Sequence, residues 1–249
     1  MRPCHYDRVT EKSTLVLWDV DQTLVDYSGT GHDWYGRALA GALGLEIAHI
    51  PAFPGRTERS ITVELLEAHG VDWTEEHVER MFAELISIAT AARPQLPSLG
   101  RALPGAPQVL AALAGRAEVV QSLVTGNLVE LADCKLAAFD LLPFVDLEIG
   151  GYGSVSTDRH DLVAAAKRAA EAKYGTVFAP RSIVVIGDTP HDVAAAHHHG
   201  AVGVAVATGR HSVEELVACG ADVVLTDLSD TDAVVATLLR TTDNLTPGA

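Results

Sequence analysis

The chain has 249 residues, of which 48% are hydrophobic, and its formal net charge is −15. This length and apolar content suffice for one large domain, or for a core domain that carries a smaller inserted one. The strong negative charge excludes nucleic acid and anionic membrane surfaces as expected partners, because both require a basic protein surface. It also opposes an anionic substrate, so a site for such a substrate needs its own local cation.

The three cysteines, Cys4, Cys134 and Cys219, are widely separated along the chain. They show neither zinc-ligand spacing nor a disulfide framework, which favours a reducing compartment. The first residues contain no apolar segment typical of a secretory signal, and no run approaches the ~18 apolar residues that a membrane span needs. We therefore expect a cytoplasmic protein without membrane partners. The sequence leaves monomer and homodimer open.

Short runs of β-branched residues alternate with alanine-rich helical patterns along most of the chain. The runs predict strands at residues 15–18, 119–124, 183–186, 202–206 and 223–225. Strands that alternate with helices are typical of a parallel sheet covered on both faces. We therefore predict an α/β fold with a doubly wound, Rossmann-like parallel sheet as its core.

This alternation fails between the first two predicted strands. Three helical patterns follow one another there, at residues 34–45, 59–69 and 75–92. Pro- and Gly-bearing stretches lie on either side of them, as expected of hinges. We expect residues 27–103 to form a helical domain inserted into a core domain of residues 1–26 and 104–249. One long helical crossover packed on the sheet is the alternative.

Two carboxylates follow the first predicted strand. Asp19 and Asp21 are spaced i, i+2, so an extended backbone directs both side chains to the same side of the chain. Like charges at such short range raise each other's pKa or attract a cation. Asp19 could attack an electrophile or bind a metal, Asp21 could transfer protons, and Thr23 could fix the loop by a hydrogen bond. An Asx turn that ends a strand is the alternative.

Neutral hydrogen-bonding groups follow the second predicted strand. Thr125, Gly126 and Asn127 offer a hydroxyl, an unobstructed backbone amide and a carboxamide where a helix is expected to begin. Such donors suit phosphate oxygens, and a helix N-terminus favours anions. The alternative is an ordinary strand-to-helix turn in which Asn127 caps the helix.

The third predicted strand is again followed by acids. Asp188 comes directly after it, and Asp192 lies one turn later near a predicted helix start. Both carboxylates could ligate a hard cation such as Mg²⁺, directly or through water. Asp192 could instead only complement the helix dipole.

The site also requires a cation, and Arg159 is the first candidate. It lies near a predicted helix N-terminus, where positive charge is disfavoured, so it suggests an anionic partner, either a carboxylate or a bound phosphate. A surface salt bridge with Asp158 or Asp161 is the alternative. Lys135 is a rival, but its mid-helix position among alanines and leucines favours a surface lysine with an apolar stem packed against the protein.

Parallel strands place their carboxyl ends at one edge of a sheet, which brings these residues together. In these motifs the chain resembles the haloacid-dehalogenase-like superfamily of hydrolases, and within it phosphatases of the phosphoglycolate phosphatase and β-phosphoglucomutase type. The resemblance covers nearly the whole chain. It rests on four motifs in order: Asp-x-Asp-x-Thr at Asp19, Asp21 and Thr23, the Thr motif at Thr125 with Gly126 and Asn127, a basic motif at Arg159 where many relatives carry Lys, and Gly-Asp-x-x-x-Asp at Gly187, Asp188 and Asp192.

The resemblance implies Mg²⁺-dependent hydrolysis of a small phosphorylated metabolite, either phosphoglycolate-like or a sugar phosphate. Asp19 would attack phosphorus to form an aspartyl-phosphate, and Asp21 would protonate the leaving group and then activate water. The metal would be held by the Asp19 carboxylate, the Asp21 carbonyl oxygen and Asp188, with support from Asp192. The transferring phosphate would be held by Thr125, the Gly126 amide, Asn127 and Arg159.

The helical insert resembles the cap that closes over the site in these relatives. Arg56 lies in a turn similar to the cap turn that faces the site, which makes it a candidate for binding a second anionic group such as a carboxylate. A surface arginine at a helix start is the alternative. The acid at position 21 favours phosphate-ester chemistry, since related dehalogenases and phosphonate-cleaving enzymes lack it. A phosphomutase and a catalytically silent binding protein of the same fold are the alternative functions.

Overall fold

A six-stranded parallel sheet forms the centre of the computed structural model, which describes residues 13–243. Cys4 and the outermost parts of the expected core domain lie outside the described residues. The strand order in the sheet is β5-β4-β1-β6-β7-β8. The strands of the chain are β1 (Thr14–Trp18), β2 (Val25–Asp26), β3 (Arg101–Ala102), β4 (Val119–Thr125), β5 (Gly151–Tyr152), β6 (Ile183–Gly187), β7 (Val202–Val206) and β8 (Val223–Leu225).

Helices cover the sheet and form the insert. In chain order they are α1 (Thr30–Leu43), α2 (Glu58–Ala68), α3 (Glu75–Ala92), α4 (Leu96–Leu99), α5 (Ala106–Ala114), α6 (Val129–Ala137), α7 (His160–Tyr174), α8 (Pro190–His198), α9 (Val213–Ala218) and α10 (Thr231–Asp243). No helix among the residues described is long and apolar enough to cross a membrane.

The central strand β1 shows why the sheet is covered on both faces. All of its apolar side chains are fully buried, and alternate residues belong to different parts of the core. Val16 and Trp18 share one core cluster with residues of α5 and α10, whereas Leu15 and Leu17 share another with residues of α7 and α8. The predicted α/β fold with a doubly wound parallel sheet is therefore confirmed.

The insert begins and ends at a short two-stranded ribbon. Strands β2 and β3 pair antiparallel, with Val25 opposite Ala102 and Asp26 opposite Arg101. Helices α1, α2 and α3 lie between them in the chain, close to the three helical patterns read from the sequence. The assignment of residues 27–103 as a separate cap domain stays a prediction. Strands β2, β3 and β5 were not predicted, because two residues cannot show a periodicity.

Candidate active site

The predicted site residues lie where three neighbouring strands end. Asp19 directly follows β1, Thr125 is the last residue of β4, and Asp188 directly follows β6. Because β4 and β6 flank β1 in a parallel sheet, these three ends meet at one edge. A cavity of about 330 Å³ opens there, and residues of the helical insert form its other wall.

A cluster of acids occupies the floor of this cavity. One carboxylate oxygen from each of Asp19, Asp188 and Asp192 lies within 4.8 Å of the others, and all three side chains are buried. Arg159 Nη2 lies 2.8 Å from Asp19 Oδ1 and 2.6 Å from Asp192 Oδ1, and this guanidinium is buried as well. Arg159 therefore pairs directly with two of the three carboxylates, those of Asp19 and Asp192.

The ionisation of this cluster reflects burial first and the neighbouring charges second. Burial raises the pKa of Asp19 to about 6, against the opposing effect of Arg159. Burial also raises the pKa of Asp188 to about 8, with further increases from the charges of Asp19 and Asp192. Burial alone would lower the pKa of Arg159, but the Asp192 and Asp19 carboxylates raise it above its ordinary value. A divalent cation would relieve this repulsion.

Asp192 also closes the first turn of α8. Its Oδ2 accepts hydrogen bonds from the Thr189 backbone amide at 3.1 Å and from the Thr189 hydroxyl at 2.7 Å. The other oxygen, Oδ1, faces Arg159. The helix-capping role and a place in the acid cluster, which the sequence offered as alternatives, are thus combined in one side chain.

A second polar network surrounds Asp21. Lys135 Nζ lies 2.5 Å from Asp21 Oδ2 and donates to Asn127 Oδ1 at 2.7 Å. Asn127 Nδ2 donates to Asp21 Oδ2 at 2.8 Å and to Thr125 Oγ1 at 2.9 Å. Asn127 does not cap α6, since Leu128 is the N-cap residue. Each of the two polar networks thus contains a cation, Arg159 beside Asp19 and Lys135 beside Asp21.

The expectation that Lys135 is a surface lysine was wrong. The residue is buried, and its ammonium group lies in the site. The sequence did carry a signal for this, because Lys135 is four residues after Leu131 and therefore shares its helix face. Leu131 is buried and lines the same cavity.

Thr23 does not have the predicted role. Its hydroxyl is buried and, within residues 13–243, makes no hydrogen bond. The loop after β1 is held instead by backbone hydrogen bonds, including Leu24 N to Val20 O at 2.9 Å and Gln22 N to Val25 O at 2.7 Å.

The loop before α2 docks directly on the ends of the core strands. The Glu58 amide donates to Gly126 O at 2.8 Å, and the Arg59 amide donates to Gly153 O at 3.0 Å. A Cβ atom at position 126 would lie 1.9 Å from Arg56 O, a distance that no side chain tolerates. Glycine at 126 is therefore needed for the insert to approach the site this closely.

Gly126→Ala is expected to lower kcat/KM by about tenfold to hundredfold, because the added methyl group displaces the loop before α2. Steady-state kinetics and thermal unfolding measure the effect. Gly115→Ala is the matched control, since its Cβ would be 3.6 Å from the nearest atom, Ala112 O. Equal kinetics for the two variants would show that this contact does not matter.

Arg56, the predicted ligand for a second anionic group, lines the cavity but is already paired. Its Nη1 lies 2.5 Å from Glu64 Oε2, its Nη2 donates to Ser60 O at 2.9 Å, and its Nε donates to Ser60 Oγ at 3.2 Å. The guanidinium is 26% exposed. Its role as an anion ligand stays a prediction.

Glu58, two residues further on, is a cavity residue that the sequence reasoning missed. It is buried, lines the cavity, and accepts a hydrogen bond from the Tyr35 hydroxyl. Burial raises its pKa to about 7, although Tyr35 and Lys135 act in the opposite direction. As the first residue of α2, it was indistinguishable in the sequence from an acid that complements the helix dipole.

The pKa of Glu58 predicts a pH-dependent difference between wild type and Glu58→Gln. The folded-state pKa, about 7, lies above the ordinary value of 4.5, so the folded state binds the proton more tightly. The resulting stabilisation is full below pH 4.5 and is lost as the pH rises through 7. Denaturant unfolding should show that the free energy of unfolding of the wild type falls by up to about 3 kcal/mol relative to that of Glu58→Gln between pH 4.5 and 7. A constant difference between the two proteins would contradict the assignment.

Comparison with known proteins agrees with this architecture. A family model described as HAD-hydrolase-like matches residues 160–231, a range that includes Asp188 and Asp192. No curated protein matches the chain. Similar solved structures include a hydrolase from Pseudomonas syringae, which is 24% identical, covers 94% of this chain and 100% of its own, and has a TM-score of 0.59.

Two further solved structures match this chain over a similar share of their length. A protein from Bacteroides vulgatus, assigned provisionally as a β-phosphoglucomutase, is 19% identical over 94% of this chain and 92% of its own, with a TM-score of 0.62. A predicted phosphoglycolate phosphatase from Haemophilus somnus is 18% identical over 90% of this chain and 98% of its own, with a TM-score of 0.58.

The sheet order, the helices between β2 and β3, and the acids at the strand ends define an α/β protein of the haloacid-dehalogenase-like type. The chain has the fold of that superfamily, and the resemblance inferred from its motifs is confirmed.

Proposed function

We propose that this protein is a Mg²⁺-dependent phosphatase that hydrolyses a small-metabolite phosphate monoester through an aspartyl-phosphate on Asp19. The observation that carries the proposal is the cluster of Asp19, Asp188 and Asp192, two of which pair with Arg159, at one edge of the sheet. Asp21 lines the same cavity. Fold relatives described as phosphatases support the same reaction class.

The donor set fits a hard divalent cation. Buried carboxylate oxygens within 4.8 Å of one another, with raised pKa values at Asp19 and Asp188, match the oxygen-rich environment that Mg²⁺ prefers. Asp19, Asp188 and the Asp21 backbone carbonyl would hold the ion, and Asp192 would support it. When bound, Mg²⁺ would neutralise the carboxylates and the phosphate together.

Arg159 supplies the local cation that an acidic protein needs for an anionic substrate. Its Nε is buried and has no hydrogen-bond partner within the described part of the chain, which is costly unless a ligand accepts that hydrogen bond. A phosphate oxygen is a suitable acceptor. Thr125, the Gly126 amide and Asn127 would hold the remaining oxygens at the end of β4.

In the proposed reaction, Asp19 Oδ attacks phosphorus and the bond to the leaving oxygen breaks. Asp21 donates a proton to that oxygen, and then removes a proton from the water molecule that hydrolyses the aspartyl-phosphate. Asp21 is well placed for contact with solvent, since its side chain is 40% exposed. Lys135 and Asn127 hold its carboxylate in one orientation.

Lys135→Met is expected to lower kcat by about 10²–10³-fold with little change in KM, because Asp21 loses the group that orients it. Lys167→Met is the matched control, since Lys167 on α7 pairs with Glu171 at 3.8 Å and, among the described residues, is not part of the cavity lining. A raised KM with unchanged kcat would instead assign Lys135 to phosphate binding.

The expected partner is a small phosphorylated substrate, with neither nucleic acid nor membrane, and monomer and homodimer are both compatible with the proposal. We also propose a cytoplasmic location, because Cys134 and Cys219 are free thiols. A phosphomutase is the second candidate, since one fold relative is assigned as a β-phosphoglucomutase. A catalytically silent binding protein is disfavoured by the intact set of acids.

The function is tested by Mg²⁺-dependent phosphate release from a panel of metabolite phosphate esters. We expect release from at least part of the panel and none when the metal is chelated. A hexose 1-phosphate that yields the 6-phosphate rather than free phosphate would identify a mutase. No release from any ester, with no isomerisation, would contradict the proposed enzyme.

A further inference from the structure

We infer that Glu58 selects substrates whose leaving group carries a hydrogen-bond donor, a hydroxyl or an ammonium group, and rejects leaving groups that carry a second anionic group. The inference rests on the proposed phosphatase function and narrows its substrate class. Its basis is the wall of the cavity opposite the acid cluster, which the helical insert provides.

Glu58 presents a carboxylate to the cavity with unused acceptor capacity. Its Oε2 accepts the hydrogen bond from Tyr35, and the residues described provide no further hydrogen bond to this carboxylate. The side chain is only 9% exposed, so solvent satisfies it poorly. A donor on the bound leaving group would complete its hydrogen bonding.

The position of Glu58 is not explained by the helix dipole alone. Glu75 begins α3 in the same way, but its side chain is 60% exposed and pairs with Arg59. An acid at a helix start can therefore remain in solvent in this protein. Glu58 is instead buried beside Tyr35, whose ring stacks on Phe53 with centroids 5.3 Å apart.

Among the described residues, the same wall offers no unpaired cation to a second anionic group. Each side-chain nitrogen of Arg56 already donates a hydrogen bond to Glu64 or Ser60, and Glu64 balances its positive charge, so an added carboxylate would compete with Glu64 for this guanidinium. Arg210 also lines the cavity, and it belongs to neither of the polar networks around Asp19 and Asp21. It is exposed, and it follows Gly209, which lies against Asp188 on the core side of the cavity.

Much of the rest of this wall is apolar, although Ser28 and Thr30 also line the cavity. Trp34, Phe53, Ile61 and Leu85 line the cavity around Glu58. Such walls favour the carbon skeleton of a leaving group and disfavour a charge without a partner. A single acceptor in such surroundings discriminates strongly between leaving groups with and without a hydrogen-bond donor, because a buried polar group that is left unpaired is costly.

The test compares four small esters that present different groups to the cavity: ethylene glycol monophosphate, phosphoethanolamine, propyl phosphate and phosphoglycolate. The expected wild-type kcat/KM is at least about tenfold higher for the first two, which carry donors, than for the last two. Glu58→Leu should remove this preference. Glu58→Gln keeps a neutral acceptor, so it should reduce the preference more for phosphoethanolamine, which carries an ammonium group, than for ethylene glycol monophosphate, which carries a hydroxyl.

Glu67→Gln is the matched control, because Glu67 lies on the same helix, is exposed and does not line the cavity. It should retain the wild-type preference. Hydrolysis of all four esters without a preference, a preference for phosphoglycolate, or an unchanged preference in Glu58→Leu would overturn the inference while leaving the phosphatase intact. No hydrolysis of any of these esters or of the wider metabolite panel would instead contradict the proposed function itself.

Discussion

Asp19→Asn is expected to lower phosphate release by at least about four orders of magnitude, because an amide cannot attack phosphorus as a carboxylate does. The change is nearly isosteric, and it removes one negative charge from a cluster of three buried acids in which Arg159 pairs with Asp19 and Asp192. Thermal unfolding should therefore show a melting temperature equal to or above that of the wild type. Phosphate release and unfolding measured on the same preparation separate loss of chemistry from loss of fold.

Asp232→Asn is the control for this variant, since Asp232 is an exposed acid in the first turn of α10. Its activity should match that of the wild type. Substantial turnover by Asp19→Asn would rule out Asp19 as the nucleophile.

Mg²⁺ is expected to raise the melting temperature by about 5–10 °C at saturating concentration, because it binds the folded acid cluster and stabilises it by mass action. Asp188→Asn should lose most of this shift, since Asp188 contributes one of the clustered carboxylates. Without metal, the same variant should be at least as stable as the wild type, because it relieves repulsion with Asp19 and Asp192. Differential scanning fluorimetry with and without Mg²⁺ measures both effects.

The Mg²⁺-induced shift in melting temperature does not depend on activity, and Asp232→Asn is its control. That variant should keep the full Mg²⁺ shift, since Asp232 is exposed and lies outside the cluster. An equal shift in Asp188→Asn and the wild type would place the metal elsewhere, and no shift in either would contradict the metal site.

The sheet could be predicted from the sequence because its strands are buried on both faces. Strands such as β1 and β6 are continuous apolar runs bounded by polar loops, and their bounds agree with the prediction within one residue. The acids at their ends, Asp19 and Asp188, then follow from the parallel arrangement. Strand β5 has only two residues and is defined by its pairing with β4, which no local pattern encodes.

Residues whose role depends on tertiary contacts could not be predicted from local sequence in the same way. The mid-helix position of Lys135 predicts a surface residue, although its spacing from Leu131 places it on the buried face of α6. Glu58 gave no signal, because the sequence cannot show that the insert folds back and directs it at the cavity. Arg56 lines the cavity and pairs with Glu64, and the local sequence contains no sign of this pairing.

The proposed covalent intermediate on Asp19 can be trapped, which tests the mechanism directly. Asp21→Asn is suited to this, because with p-nitrophenyl phosphate the leaving group needs no acid, whereas hydrolysis of the intermediate still needs Asp21 as base. Acid quenching followed by borohydride reduction should convert residue 19 to homoserine, identified by peptide mass spectrometry, only when Mg²⁺ and substrate are present. If the wild type releases phosphate but residue 19 of Asp21→Asn stays unmodified under these conditions, Asp19 does not form the proposed intermediate.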